Sequence, residues 1–164
     1  MLYRKTTFLV GMALTAAMLM ITATASAQPT EVTVSGGQTS VDVAPGRVWF
    51  TGVILHVRGR IISVTLTGDI AGTATQILDF NINTVTSEGD LRGSVEFTGT
   101  LVGVGAGELR GTFAGDISAG VFSVESFGHG TFGGNVAHSR VTTTGVFGSA
   151  IATYDGTVRF PNGE

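Results

Sequence analysis

Single glycines separate short runs of β-branched and aromatic residues along most of this chain. The 164 residues include 25 glycines, and no proline occurs between Gly46 and Phe160. Glycine allows turns with positive φ and lets a sheet bend, whereas proline would interrupt the hydrogen-bond ladder of a central strand. The pattern therefore predicts a continuous meander of antiparallel strands.

Alternation of apolar and polar residues marks individual strands. Within 61–67, 74–85 and 91–98, apolar residues recur at every second position, which places one face of each strand inward. The inward sets are Ile62, Val64 and Leu66; Leu78, Phe80 and Ile82; and Leu91, Val95 and Phe97. Further strands are predicted within 47–57, 108–114, 120–127, 135–144, 146–154 and 157–160, and a tight hairpin at 58–60.

This number of short strands predicts an all-β fold, either a closed antiparallel barrel of about eight strands or a two-sheet β-sandwich. Glycines inside the strands favour the barrel, because a sheet that coils sharply needs positions without side chains. We predict a single barrel domain at 46–160 and a tail at 161–164. A polar lead-in at 28–45 precedes the barrel, with possible short edge strands at 31–34 and 39–43.

The first 27 residues have the layout of an export signal. Arg4 and Lys5 precede a long apolar run at 8–21, and Ala25-Ser26-Ala27 provides a small-x-small cleavage site. We predict a signal-peptide helix that is removed after Ala27, with an uncleaved membrane anchor as the alternative. The cleaved protein is then expected in the periplasm or outside the cell.

The chain after the predicted cleavage site is acidic. Loss of Arg4 and Lys5 leaves seven arginines against 12 carboxylates, a formal charge of −5. Such a chain attracts neither nucleic acid nor an anionic membrane surface. The sequence has no cysteine, which excludes disulfides, thiol catalysis and thiolate metal sites. Several short strand runs and the absence of aromatic belts disfavour a barrel embedded in an outer membrane.

A weak repeat of the form Gly-acid-aliphatic-x-Gly-hydroxyl begins at Gly68, Gly89 and Gly107, with a degenerate copy at Gly115. Its spacing matches a hairpin-sized unit. The acids are predicted to lie in turns or at strand starts, where they accept hydrogen bonds from backbone N–H groups. The alternative is a ring of acids at one rim of the barrel, suited to a cation.

Two glycine-rich segments, 103–113 and 128–134, contain Gly-x-Gly-x-Leu and Gly-x-Gly-x-Phe. They resemble segments of the allene oxide cyclase and dirigent-type barrels, a group that includes small bacterial relatives of unknown function. The resemblance implies an eight-stranded, calycin-like barrel with an apolar central cavity over roughly 47–160. It implies no catalytic residue, because the acidic and arginine residues of the plant members do not align with this chain.

Glu125, His138 and Arg140 form a candidate ligand-binding set. His138 and Arg140 share a strand face, and Glu125 shares one with Phe127 on a neighbouring predicted strand. If that face lines the barrel, the three side chains would hold the polar end of an apolar ligand. The alternative is an outward-facing set of solvated cross-strand pairs. Glu96 joins the set because it could pair with Glu125 as two catalytic carboxylates, which only geometry can justify.

Catalytic and cofactor signatures are weak. The segment 128–133 fits Gly-x-Gly-x-x-Gly, but no helix is predicted after it, so a dinucleotide site is not expected. No nucleophile elbow occurs, and His56, His129 and His138 lack a compact metal-ligand spacing. We therefore predict a non-enzymatic barrel that binds a small apolar ligand, without a metal or other cofactor. The alternatives are a surface or structural interaction module, and an isomerase or cyclase acting on a hydrophobic substrate.

Overall fold

A computed structural model describes residues 30–161, which form nine β-strands and no helix. The strands are β1 (Glu31–Ala44), β2 (Arg47–Thr51), β3 (Ile54–Gly68), β4 (Ile70–Asn83), β5 (Glu88–Leu101), β6 (Gly105–Ser118), β7 (Val121–Phe132), β8 (Asn135–Val146) and β9 (Ile151–Arg159). The predicted signal peptide and its cleavage site lie outside the described residues, as does the tail beyond Pro161.

The strands form one antiparallel meander that closes on itself. Strands β3 to β9 pair in chain order, β9 pairs with β1, and β1 pairs with the second half of β3. Thr39 of β1, for example, lies opposite Thr65 of β3 on one side and Ile151 of β9 on the other. The predicted closed eight-stranded antiparallel barrel is confirmed, with β2 as one additional strand beside β3.

Two local predictions near the start of the barrel are wrong, and residues 151–159 form one strand where parts of two were expected. Residues 31–44, expected to hold two short edge strands, form one long strand that closes the barrel. Residues 58–60, expected to form a hairpin, lie inside β3, where a register shift marks a β-bulge. The hairpin lies instead at 52–53. Gly52 in the turn and Gly59 in the bulge both have positive φ, 61° and 67°. Both features favour glycine, so the residue type alone does not distinguish a turn from a bulge.

Alternate residues of each strand fill the interior in two clusters. The predicted inward positions of β3, β4 and β5 are confirmed by buried Val64, Phe80 and Phe97. The first cluster occupies the end of the barrel where β3, β5, β7 and β9 finish, which we call the filled end. It includes Val34, Phe97, Leu101, Phe132, Tyr154 and Val158. The second lies toward the opposite end, the open end, and includes Val57, Phe80, Leu91, Phe113, Ile117 and Val124.

Interior aromatic rings lie against glycines on neighbouring strands. Four such pairs are directly opposite in register: Gly36 and Tyr154, Gly93 and Phe113, Gly107 and Phe132, and Gly145 and Phe122. A Cβ added to Gly93 would lie 2.5 Å from the Phe113 ring. Because glycine has no Cβ, each ring can cover the adjacent backbone and the sheet can coil into a narrow barrel. These pairs account for four of the glycines that the sequence places inside strands.

Tyr154 joins the filled end to the turn between β3 and β4. Its hydroxyl oxygen accepts a hydrogen bond from the Ile70 N–H at 2.9 Å. The same hydroxyl can donate to the carbonyl oxygen of Ile70 at 2.8 Å or of Thr67 at 3.1 Å. Burial raises the pKa of this phenol above its ordinary value, an effect that the Ile70 hydrogen bond reduces and the nearby Asp69 charge reinforces.

We expect the free energy of unfolding to fall above about pH 10 because of Tyr154. The unfolded phenol ionises first, so the unfolded state binds fewer protons there and stability declines until the folded phenol also ionises. The slope is at most about 1.4 kcal/mol per pH unit. Urea unfolding of residues 28–164 at several pH values measures this slope. These residues contain no lysine, cysteine or second tyrosine, so no other side chain with an ordinary pKa of about 8–10 contributes to it.

Tyr154→Phe provides the control for this titration. It should lower stability at neutral pH by about 1–3 kcal/mol, since the Ile70 N–H loses its acceptor. It should also remove the alkaline slope. A slope of the same size in the variant would show that another group causes the decline.

Candidate functional site

A cavity of about 210 Å³ lies between the second cluster and β1, toward the open end of the barrel. Its apolar wall includes Leu78, Phe80, Leu91, Phe113, Phe122 and Phe147. Its polar lining, which we call the polar wall, comes from four strands: Gln38, Ser40 and Asp42 of β1, Arg60 of β3, Gln76 of β4 and Ser126 of β7. The barrel interior is thus solid at the filled end and hollow near the open end.

Strands β4 to β7 and one loop build the apolar wall. Phe80 of β4 lies opposite Leu91 of β5 in the register. Phe147 follows β8 and packs edge-on against Phe80, with ring centroids 5.2 Å apart. The Phe147 N–H donates to the carbonyl oxygen of Gly120 at 2.8 Å, which fixes the start of the loop. An aromatic ring from the β8–β9 loop therefore reaches across the interior to the opposite wall.

An ion pair between β1 and β3 stands on the polar wall. The bulge shifts the alternation of β3 by one residue, so Arg60 shares the inward face with Ile62. Arg60 Nε donates to Asp42 Oδ1 at 2.8 Å, and a terminal nitrogen donates to Oδ2 at 2.7 Å. This bidentate geometry orients both side chains. Both remain partly exposed to solvent, so the pair adds little to stability.

Two glutamine amides on the polar wall have unused hydrogen-bonding capacity. Gln38 of β1 and Gln76 of β4 are half-buried and line the cavity. Neither side chain has a hydrogen-bond partner within residues 30–161. Each amide offers a carbonyl acceptor and two N–H donors, and groups of this kind are normally satisfied by protein, water or ligand. The cavity therefore presents polar groups ready to bind an occupant.

Three of the residues predicted as a binding set lie on the outer face. Val124 and Ala137, which precede Glu125 and His138, are buried in the barrel, so Glu125, His138 and Arg140 project outward. Arg140 forms an ion pair with Glu125, and the two side chains are 68% and 38% exposed. The face that carries these residues does not line the barrel, and the alternative arrangement of solvated cross-strand pairs is the one observed.

Glu96 is also on the outer face. It pairs with Arg110 of β6 at 3.7 Å, and both side chains are well exposed. It does not approach Glu125, because β6 lies between their strands. The two carboxylates therefore do not form the pair that glycoside hydrolysis requires.

The acids of the repeat do not form a ring. Asp69 accepts hydrogen bonds from the Ser35 N–H at 2.8 Å and the Ser35 hydroxyl at 3.0 Å, which confirms the predicted turn role for this copy. Asp69 and Glu108 lie near the filled end, whereas Asp90 and Asp116 lie near the open end. Residues 30–161 contain no group of three or more side chains placed to hold a metal ion.

Alternation of apolar and polar residues does not predict the polar wall. On β1, alternation would place Val41 and Val43 inward, but the two are 68% and 64% exposed. Ser40 and Asp42 face the cavity instead. The available signal was the polar spacing of Gln38, Ser40 and Asp42 at every second residue, which indicates a polar interior face if the strand belongs to a hollow barrel.

No protein-family model matches this chain, and no curated protein matches it in sequence. The helix-free range 30–161 also offers no apolar helix of membrane-spanning length.

Proposed function

We propose that the barrel binds a small, largely apolar molecule with one hydrogen-bonding end in the cavity near the open end. The observation that carries this proposal is the mixed lining: aromatic rings and unpartnered glutamine amides face the same cavity. Apolar cavities with a few convergent polar groups are typical of small-molecule sites. The Phe80 and Phe113 rings would cover the apolar part, while Gln38 and Gln76 would bind the polar end.

The size of the cavity limits the ligand. At about 210 Å³ it is smaller than the roughly 300–1,000 Å³ of most drug-sized sites. A single ring or a short branched chain with an amide or hydroxyl group fits this description. The Arg60–Asp42 pair near the polar wall favours a neutral polar end, since each charge already has its partner.

We also propose that binding takes place after export, because 1–27 have the layout of a signal peptide. Kinship with the allene oxide cyclase and dirigent-type barrels belongs to the same proposal. The closed eight-stranded barrel is compatible with it, and the support is the pair of glycine-rich segments at 103–113 and 128–134.

Ser126→Phe should block the cavity. Ser126 faces inward on β7 and lines the cavity, so a phenyl ring there would occupy the space of the ligand. Benzamide, which combines one apolar ring with an amide, is a suitable probe. Its dissociation constant, measured by ligand-observed NMR, should rise at least about tenfold in the variant, equal to about 1.4 kcal/mol.

Ser123→Phe is the matched control, because it introduces the same ring on the exposed outer face of the same strand. It should leave benzamide binding unchanged. Equal binding by the parent protein and by Ser126→Phe would place the probe elsewhere and refute the cavity as the site. Absence of saturable binding by the parent protein would also count against the proposal.

A further inference from the structure

The strand β2 is an open sheet edge. Within the described residues it pairs with β3 on one side and with no strand on the other. All five of its residues are exposed. Proteins usually protect such an edge with lysine, proline, a bulge or a covering element. Residues 47–51 contain neither lysine nor proline, and no register shift interrupts their pairing.

The two-residue hairpin at 52–53 defines which backbone groups of β2 are free. Thr51 and Ile54 flank the turn as a hydrogen-bonded pair, and bonded and non-bonded pairs alternate along an antiparallel ladder. The N–H and C=O groups of Val48 and Phe50 therefore point away from β3. A further strand alongside β2 would bond to these groups.

The two faces of β2 differ in chemistry. On the inner face, Val48 and Phe50 lie opposite Val57 and Leu55 of β3 but remain 52% and 62% exposed. A strand that added apolar side chains on this face would remove both from water. Such burial is favourable at about 25 cal/mol per Å² of apolar surface.

The outer face of β2 is cationic and aromatic. The Trp49 indole stacks on His56 with centroids 5.1 Å apart, and Arg47 and Arg58 lie 5.2 Å and 5.6 Å from its centroid. Arg58 is held by Asn81 at 2.7 Å and lies 4.0 Å from the Asp79 carboxylate. Arg47, by contrast, has no acidic partner within residues 30–161. This face has a rigid indole and an unneutralised positive charge at the free edge.

We propose that the β2 edge binds an extended peptide segment in which acidic and apolar residues alternate. Main-chain hydrogen bonds would form at Val48 and Phe50. The apolar side chains would cover the inner face, and the carboxylates would face Arg47 on the outer face. The site is separate from the cavity, so it would act independently of the small-molecule site proposed above.

The test uses protein purified after expression of the full chain and a capped eight-residue peptide that alternates Glu and Val. Trp49 is the only tryptophan of the sequence, so its fluorescence reports on this edge. We expect saturable binding, at least about tenfold tighter than for a Lys and Val peptide, and weaker in high salt. Calorimetric titration gives a second readout that does not depend on Trp49.

Two pairs of variants, each a test and its control, locate the binding. Arg47→Glu should reverse the preference toward the Lys peptide, whereas Arg159→Glu, the same change on distant β9, should leave it intact. Val48→Pro removes one free edge N–H and should lower affinity at least about tenfold, while Val48→Ile should not. Equal affinity for the Glu and Lys peptides, or an unaltered preference in Arg47→Glu, would overturn the proposal. So would a concentration-dependent dimer seen by sedimentation and broken by Arg47→Glu, because a second copy would then be the occupant.

Discussion

Gly36→Ala is expected to destabilise the protein by about 3 kcal/mol or more. A Cβ at this position would collide with the backbone carbonyl oxygen of Thr67 and would lie 2.5 Å from the Tyr154 hydroxyl. Backbone of β3 cannot move without disturbing the closure of the barrel, and Tyr154 is tied to the β3–β4 turn by its hydrogen bonds. Urea unfolding followed by circular dichroism measures the loss.

Gly37→Ala is the control for this prediction. Gly37 is the adjacent residue of the same strand, but a Cβ there would meet nothing closer than 3.5 Å. We expect a change within about 1 kcal/mol, in either direction, since alanine also restricts the unfolded chain. Similar losses for the two variants would mean that β1 tolerates no side chain in this region for reasons other than contact with Tyr154.

Phe132→Ala should cost about 3–5 kcal/mol, the other large effect that we expect. Its ring is fully buried at the filled end, opposite Gly107 and tilted against Phe97 at a centroid distance of 6.1 Å. Removal of the ring leaves a void that the surrounding strands cannot close, because they belong to a complete barrel. The free energy of unfolding in urea gives the size of the effect.

Phe127→Ala is the matched control, since Phe127 lies on the outer face of the same strand and is 51% exposed. It makes one cation–π contact, with Arg140, so we expect a loss below about 1 kcal/mol. A loss below about 1.5 kcal/mol for Phe132→Ala would mean that the filled end can collapse around the void.

Strands and their inward faces were predictable where the interior is apolar. Ile62, Val64 and Leu66 alternate with polar residues, and burial at the filled end selects the same face that the pattern indicates. The choice of a barrel was predictable for a related reason. Glycines inside strands leave room for rings such as Phe113 and Phe132, and this arrangement occurs in a strongly coiled sheet.

The candidate site was not predictable to the same extent, because alternation shows which residues share a face but not which face is inward. On β8, the inward face holds Ala137, Ser139, Val141 and Thr143, and the outward face holds Val136, His138, Arg140 and Thr142. The inward set is the more apolar, but the interior of a hollow barrel can also hold polar side chains, as Arg60 and Asp42 do beside the cavity. Only pairing with β7 and β9 decides between them, and that information depends on the whole barrel rather than on one strand.

Closure of the barrel also has a consequence for biosynthesis. The first strand needs the last one as a neighbour, since Glu31 lies opposite Arg159. A chain that emerges N-terminus first, whether from the ribosome at about 5–20 residues per second or across a membrane, would hold β1 and β8 as unpaired edges until β9 has emerged. Pairing between such distant segments is intrinsically slow. We therefore expect the newly made polypeptide to depend on a chaperone that shields these two edges until its final strand is available.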